Sequence, residues 1–395
     1  MSREQKHLDL LYYTRAVAII SVVAYHCLVA IGAQLYWNGS TRDLNAPFSN
    51  LVLLPLNLGS LGVAIFFVVS GFCIHLSFQL QGKKYAGFFI RRFFRLYPAY
   101  LVCLVFFAFA FPKTSLAFSG PATNESWRQF ISHLLFIHNF EPGTFFGINA
   151  SFWSLAVEVQ LYLLYPLLLL LVSRFGWKHA LIILGTTEVL IHVASQVVLF
   201  NTISAHPFLA QIPKGLLSFV YGLSRSPLAY WFSWSLGALI ADCYLTNKPQ
   251  PLAAVSPMIW VGCMAVCFLF RPLSEFLFMT GCLLTATILS RLINNPPEIN
   301  RDRFGWRFLS KVGVCSYSLY LLHQPILFAM PTAWLNPYGN LAKILFLGIV
   351  GFAILFLSCL FYLAIEAPGI KLGKNIIKLL KPAPLRADKL PTTQA

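Results

Sequence analysis

The chain has 395 residues, of which 58% are hydrophobic and only 11% charged, with a formal net charge of +16. A soluble domain carries about 25% charged residues, so the composition excludes a soluble enzyme, a secreted disulfide scaffold and a disordered chain, and predicts a protein whose surface mostly faces lipid. On such a protein a basic balance belongs to cytoplasmic loops rather than to a nucleic-acid site, and no nucleic-acid partner is expected.

Apolar runs of about 20 residues mark membrane helices. They fall near 11–33, 51–80, 93–111, 152–173, 179–199, 228–246, 253–270, 273–292, 312–331 and 342–366, which predicts an all-α integral membrane protein with about ten transmembrane helices. The first run is long and carries Arg15 and His26, so it is read as a retained spanning helix rather than a signal peptide. Two shorter stretches, 127–138 and 208–222, are read as interfacial or re-entrant. With both termini cytoplasmic, 21 Lys and Arg fall inside and 7 outside, with Arg15 at a helix entrance. That asymmetry obeys the positive-inside rule. Residues 1–370 form one transmembrane domain, and 371–395 read as a basic, disordered cytoplasmic tail. The nine cysteines lie in apolar runs with no CxxC pair, so they are read as buried small hydrophobes, and no metal site is expected.

An ionisable side chain in hydrocarbon costs at least ~2.5–3.5 kcal/mol on insertion scales, so each one asks for a reason. Arg15 and His26 are eleven residues apart; at 100° per residue they return to within about 20° of one helix face, roughly 16 Å apart along the axis. A snorkelling arginine and a histidine bonded to a neighbouring helix would explain the spacing as well as a functional groove does. Ser154, Glu158, Tyr162 and Tyr165 form a polar stripe on the helix opened by Ser151-Phe152-Trp153, and Ser316, Tyr320 and His323 form another. His26, Glu158 and His323 all fall about 9–12 Å below the outer face by the helical rise. Arg91, Arg92 and Arg95 stand where the third helix enters the bilayer, as a positive-inside anchor or a clamp on a phosphate-bearing ligand. Glu188, His192, Asp242 and Glu275 are read as pairing or packing residues, and Glu366 as a cap or ion-pair partner.

The Arg15-x10-His26 pattern is followed in order by LGVAIFFVVSGFCI at 61–74, FFIRRFFRLYPAYL at 88–101, HLLFIHN at 133–139, SFWSLAVEVQLYLLYPLL at 151–168, SYSLYLLHQPIL at 316–327 and IEAPG at 365–369. Together they resemble the membrane-bound acyltransferase 3 family, which O-acylates carbohydrates and some small molecules. The resemblance implies a cytoplasmic acyl-CoA donor, usually acetyl-CoA, as co-substrate, no permanently bound cofactor, and an acceptor hydroxyl on the outer face. His26 would be the catalytic base or acyl carrier and Glu158 would serve the acceptor site, orienting the imidazole or binding the sugar. Arg15, Arg91, Arg92 and Arg95 would hold the donor's phosphates. Trp153, Ser154, Tyr162, Ser316, Tyr320 and His323 would bind the acceptor or line its path. Tyr12, Ala64 and Val159 stand where the family often carries acids. The expectation is a multi-pass O-acyltransferase of a bacterial plasma (inner) membrane acting on a cell-surface or exported polysaccharide. The alternative is a transporter or flippase of a glycan or small metabolite, against which stand the missing internal repeat and the lack of broken helix pairs. Nothing in the sequence sets the oligomeric state.

Overall fold

A hydrocarbon layer offers no water to bond exposed backbone amides, so apolar runs cross it as helices. The computed structural model describes residues 3–33, 35, 37–38, 41–42, 53–118, 120–203, 213–297 and 303–380. Over these the protein is helical, apart from a two-residue antiparallel ladder pairing Trp37–Asn38 with Thr41–Arg42. The main helices are α1 (Arg3–Ala30), α2 (Gly62–Leu80), α3 (Tyr85–Val105), α4 (Thr123–Leu134), α5 (Phe152–Ile203), α6 (Lys214–Ser224), α7 (Trp231–Leu245), α8 (Pro257–Leu269), α9 (Leu277–Asn294), α10 (Phe304–Val314), α11 (Ser316–Ala329), α12 (Gly339–Phe361) and α13 (Ala367–Leu379). Among the described residues six runs are long and apolar enough to cross a membrane: Leu10–Ala30, Pro55–Leu80, Tyr85–Ala110, Phe152–Val198, Arg271–Asn294 and Ala333–Leu379. Helices α10 and α11 would together make a seventh. The protein is a multi-pass helical membrane bundle.

Several expected spans take a different form. The runs at 152–173 and 179–199 are two halves of α5, divided at Gly176, whose φ of 71° and ψ of 165° lie outside the helical region. Glycine adopts that conformation at little steric cost. The runs at 228–246 and 253–270 are α7 and α8, of 15 and 13 residues, shorter than the ~20 a full crossing takes. The single span expected over 312–331 is instead bent by 77° between α10 and α11. Helix α10 carries Arg307 and Lys311 and is largely solvent-accessible, whereas α11 is buried over most of its length. A straight continuation would drive those cations into the bundle. Helix α13 carries the chain past 370 to Leu379, with Gly373 packed on Phe94 and with Lys371, Lys374 and Lys378 exposed. Residues 381–395, Arg301 and the start of the 208–222 stretch lie outside the described residues.

The closest packing is between α2 and α7. A Cβ built on Gly71 would lie 2.1 Å from the Trp234 carbonyl oxygen, and one on Gly237 would lie 1.9 Å from the Val68 carbonyl oxygen. Small residues that let backbones touch are the means by which helices associate in lipid, where apolar side chains gain little from leaving an equally apolar solvent. This contact holds Trp234 fully buried against Tyr165. A polar knot ties the same helices to α5: the Tyr165 hydroxyl lies 3.1 Å from His75 Nδ1, and Asp242 lies 3.4 Å from His75 Nε2 and accepts from Trp177 Nε1 at 2.9 Å. Asp242 is thus a pairing residue, as is Glu188, which accepts from the Ser233 hydroxyl and amide at 2.5 and 3.1 Å.

The 127–138 stretch is α4 and the turn after it. Helix α4 buries Ser126, Gln129 and His133 and exposes Trp127 and Ile131, an amphipathic pattern suited to an interface rather than a crossing. Behind it His133 and His138 stack with ring centroids 3.9 Å apart and planes 4° from parallel. Burial holds the His133 imidazole down to about 4, and burial and the neighbouring ring hold His138 well below the usual histidine range.

Two outcomes follow from this packing. Gly237→Ala should destabilise the protein by about 1–3 kcal/mol through overpacking, read as a lowered unfolding midpoint in detergent. Both stacked histidines are neutral in the folded state and take up protons on unfolding, so the stability they confer is full above pH ~6.5 and is lost as pH falls toward about 4. The unfolding midpoint should drop across that window, and His133→Gln with His138→Asn should flatten the slope.

Candidate active site: two cavities that meet at Val63 and Tyr320

Helix phase decides which side chains face inward. On α3, Arg92 and Arg95 point into a cavity of about 390 Å³ that is also lined by Arg15 from α1, by Glu158 and Tyr162 from α5, and by Ser154 and Ser316. Arg91 does not line it and is half-buried at its margin. Helix α2 contributes Ser70, Ser77 and Gln81, which recur at i, i+7 and i+11 and so share one face. Arg92 Nη2 donates to Ser77 Oγ at 2.5 Å. Glu158 Oε1 accepts from the Tyr162 hydroxyl at 2.5 Å and from Ser70 Oγ at 2.6 Å, and Trp234 Nε1 donates to Ser70 Oγ at 3.3 Å. Glu366 lies behind the wall, accepting from Ser318 Oγ at 2.7 Å and within electrostatic reach of Arg95 and Arg15. The lining therefore sets three guanidinium groups against one carboxylate, which leaves capacity for an anionic ligand.

A second cavity of about 300 Å³ is lined by Val22, His26, Trp153, Ser151, His192, Tyr230 and Glu275 among others. Val63 and Tyr320 line both cavities. Tyr320 is fixed at this junction because its hydroxyl lies 2.6 Å from Ser154 Oγ and donates to the Ser151 carbonyl at 2.9 Å. Ser151 Oγ in turn donates to Gln324 Oε1.

Within the second cavity the protonation pattern follows from the partners. His323 Nδ1 lies 2.9 Å from the Tyr320 carbonyl oxygen and 3.2 Å from that of Leu319. Carbonyl oxygens only accept, so Nδ1 carries the hydrogen and Nε2 of the neutral ring is a bare acceptor. That acceptor lies 3.1 Å from His26 Nδ1, which is also 3.0 Å from the Val22 carbonyl oxygen. His26 therefore donates from Nδ1, and its Nε2 holds a lone pair; the ring itself lines the cavity. A second hydrogen bond of this kind is how proteins fix which imidazole nitrogen is basic.

The residues singled out in the sequence thus divide between the cavities. Arg15, Arg92, Arg95, Glu158, Ser154, Tyr162 and Ser316 meet in the basic one; His26 and Trp153 line the other, where His323 bonds to His26; and Tyr320 belongs to both. The imidazole is oriented by His323 rather than by Glu158, whose described hydrogen bonds go to Ser70 and Tyr162. Residues missed from sequence are Ser70 and Ser77, whose stripe on α2 is diluted by the apolar residues around it, and Tyr230, whose position carries no pattern of its own.

Inside a multi-pass helical bundle, a cavity lined by three arginines thus neighbours a cavity lined by the His26 imidazole, with Val63 and Tyr320 bordering both. The chain belongs to the membrane-bound acyltransferase 3 family: the model described as an acyltransferase domain matches residues 9–363. It is 27% identical over 79% of its length to the peptidoglycan O-acetyltransferase OatA of Listeria monocytogenes, covering 48% of that protein. It is 26% identical over 79% of its length to the putative peptidoglycan O-acetyltransferase YrhL of Bacillus subtilis, covering 47% of it. It is also similar to the acyltransferase MdmB of Streptomyces mycarofaciens, at 24% identity over 67% of each chain. The chain spans about half the length of the first two relatives. No solved structure matches.

The tautomer assignment has a direct readout. In protein carrying ¹⁵N-histidine, with the His26 signals identified by their loss in His26→Gln, Nδ1 should resonate as protonated and Nε2 as bare. His323→Gln and His323→Leu should both keep that pattern, since the Val22 carbonyl still accepts from Nδ1.

Proposed function

We propose that the protein is an O-acyltransferase of a bacterial plasma membrane that moves an acetyl group from cytoplasmic acetyl-CoA to a hydroxyl of a carbohydrate, such as a cell-surface or exported polysaccharide. The observation that carries this reading is the junction at Val63 and Tyr320 between a cavity bearing three arginines and one bearing an imidazole with a bare nitrogen. The peptidoglycan acetylation named for two relatives supports acetyl as the group and a glycan as the acceptor. The excess of Lys and Arg assigned to one side, 21 against 7, supports a cytoplasmic placement of both ends and of the basic cavity.

In this reading Arg15, Arg92 and Arg95 bind the donor's phosphates, for which guanidinium is well shaped, with Arg91 at the entrance. Glu158, held by Ser70 and Tyr162, lies within electrostatic reach of Arg15 and Arg95 and offsets part of their charge. The pantetheine arm covers the roughly 16 Å from Arg15 to His26 along α1 and passes the thioester between Val63 and Tyr320. An acceptor hydroxyl in the second cavity gives its proton to His26 Nε2 as its oxygen attacks the thioester carbonyl; the C–S bond breaks, and the imidazolium returns the proton to the departing thiolate. His323 stabilises the imidazolium through the Nδ1 bond. Transfer through an acyl-histidine at the same nitrogen uses the same geometry.

The test is CoA release from acetyl-CoA by purified protein in lipid nanodiscs. His26→Ala should lower the rate by about 10²–10⁴-fold. Arg92→Ala with Arg95→Ala should raise KM for acetyl-CoA by about tenfold or more, since each lost charge-assisted bond is worth roughly 1.5–3 kcal/mol. Absence of CoA release from folded wild-type protein would move the assignment to a transporter of a glycan or small metabolite, for which two joined cavities would be a path rather than a reaction site.

A further inference from the structure

The second cavity contains more polar chemistry than proton transfer at His26 uses. His192, on the later half of α5, is buried to 3% exposure, and neither ring nitrogen makes a hydrogen bond of normal geometry. Beside it Glu275, in the turn Arg271–Phe276, keeps 30% of its side chain exposed. The two approach to 3.9 Å between His192 Nδ1 and Glu275 Oε2, longer than a hydrogen bond, and the carboxylate's described bond is a 3.5 Å contact from Ser195 Oγ. An imidazole and a carboxylate placed side by side inside a membrane bundle, neither saturated by the other, leave bonding capacity open to a ligand in the cavity they line.

The walls around them are aromatic. Tyr230 stands between Trp153 and Phe278, with ring centroids 5.8 and 5.1 Å away, and its ring meets that of His192 edge-on at 6.3 Å. Trp153, Tyr230, Phe278, His192 and Glu275 all line the cavity that holds His26. This combination selects the ligand class. A carboxylate in the wall repels an anion, while Arg225, within electrostatic reach of Glu275, weakens the attraction for a cation. Flat apolar faces beside a carboxylate and a neutral imidazole match a neutral ring with C–H bonds on its faces and hydroxyls on its rim. The cavity, at about 300 Å³, is at the lower end of small-ligand sites and suits one sugar ring.

We propose that His192, Glu275, Trp153 and Tyr230 form a sugar-ring subsite, in which the aromatic faces cover the ring and Glu275 and His192 bond its hydroxyls, so that one further hydroxyl meets His26 Nε2. The proposal rests on the acyl-transfer reading and specifies its acceptor. It also reassigns His192 and Glu275, which sequence reasoning treats as pairing residues, because the pair they form is too long to satisfy either.

The experiment uses the nanodisc protein with acetyl-CoA and two neutral probe series, N-acetylglucosamine oligomers and glucose oligomers, and measures CoA release above the rate in water alone. At least one series should stimulate release. Glu275→Gln, which preserves shape, and His192→Gln should each raise KM for that sugar about tenfold more than KM for acetyl-CoA, the loss expected for one charge-assisted or buried hydrogen bond. Tyr230→Leu should raise the sugar KM more than Tyr230→Phe does, separating the ring face from the hydroxyl. Sugar KM within twofold of wild type in both Glu275→Gln and His192→Gln would overturn the subsite. So would a wild type that cleaves acetyl-CoA but responds to neither series, leaving acyl transfer standing. A wild type that cleaves no acetyl-CoA would remove the acyl-transfer reading and the subsite together.

Discussion

Polar groups inside an apolar bundle must be satisfied by the protein, because hydrocarbon satisfies none of them. Every feature of the interior can be read from that constraint. Where the sequence places a lone carboxylate or imidazole deep in a helix, packing usually supplies its partner: Glu188 takes the Ser233 hydroxyl and amide, His75 sits between Tyr165 and Asp242, and Glu366 takes Ser318. These are closed networks. Closure is incomplete in the two cavities, as it is at the stacked His133 and His138 and at Gln250 and Ser290. Three arginines face one carboxylate in the first, and in the second an imidazole with a bare nitrogen shares the space with an imidazole and a carboxylate that do not bond each other. Charged and basic groups left open in two neighbouring spaces large enough to hold a ligand are candidates for ligand contact.

Close backbone contact is what makes such networks geometrically exact enough to matter. The α2–α7 approach at Gly71 and Gly237 brings Trp234 within reach of Ser70, and Ser70 in turn holds Glu158. Without Ser70 that carboxylate oxygen would keep only the Tyr162 hydroxyl as a donor. The junction residue Tyr320 is likewise held from two sides, by Ser154 and by the Ser151 carbonyl, so its ring is a fixed wall between the cavities.

Much of the site was legible in the sequence because it repeats at helical spacing. Arg15 and His26 share a face of α1, and Ser154, Glu158 and Tyr162 share one of α5; each set does line a cavity, although α1's two members line different ones. A single helix face is long enough to serve two cavities, and spacing along one helix does not reveal the wall between them. The Ser70–Ser77–Gln81 stripe on α2 was present in the sequence at the right period but hidden by the strongly apolar residues around it. Arg91 and Arg92 could not be told apart by sequence, since adjacent residues differ only by the 100° turn that the tertiary contacts of α3 select. The bend after Val314 was also missed, because an apolar run following an amphipathic one reads as a single span.

Composition and hydropathy alone determined that this chain lives in a membrane, that it is helical, and that arginine and histidine stand on one face of its first helix, because lipid imposes those features residue by residue and helical geometry fixes the phase. The order of its motifs was enough to indicate the family. What only the tertiary structure decided is which polar groups find each other: that His323 rather than Glu158 bonds His26, that Glu158 belongs with the arginines, and that His192 and Glu275 lie together without bonding. The physical reason is that hydrogen bonds between helices depend on rotation and separation to within a few tenths of an ångström, and those are set by side-chain packing over the whole bundle, which no local stretch of sequence contains.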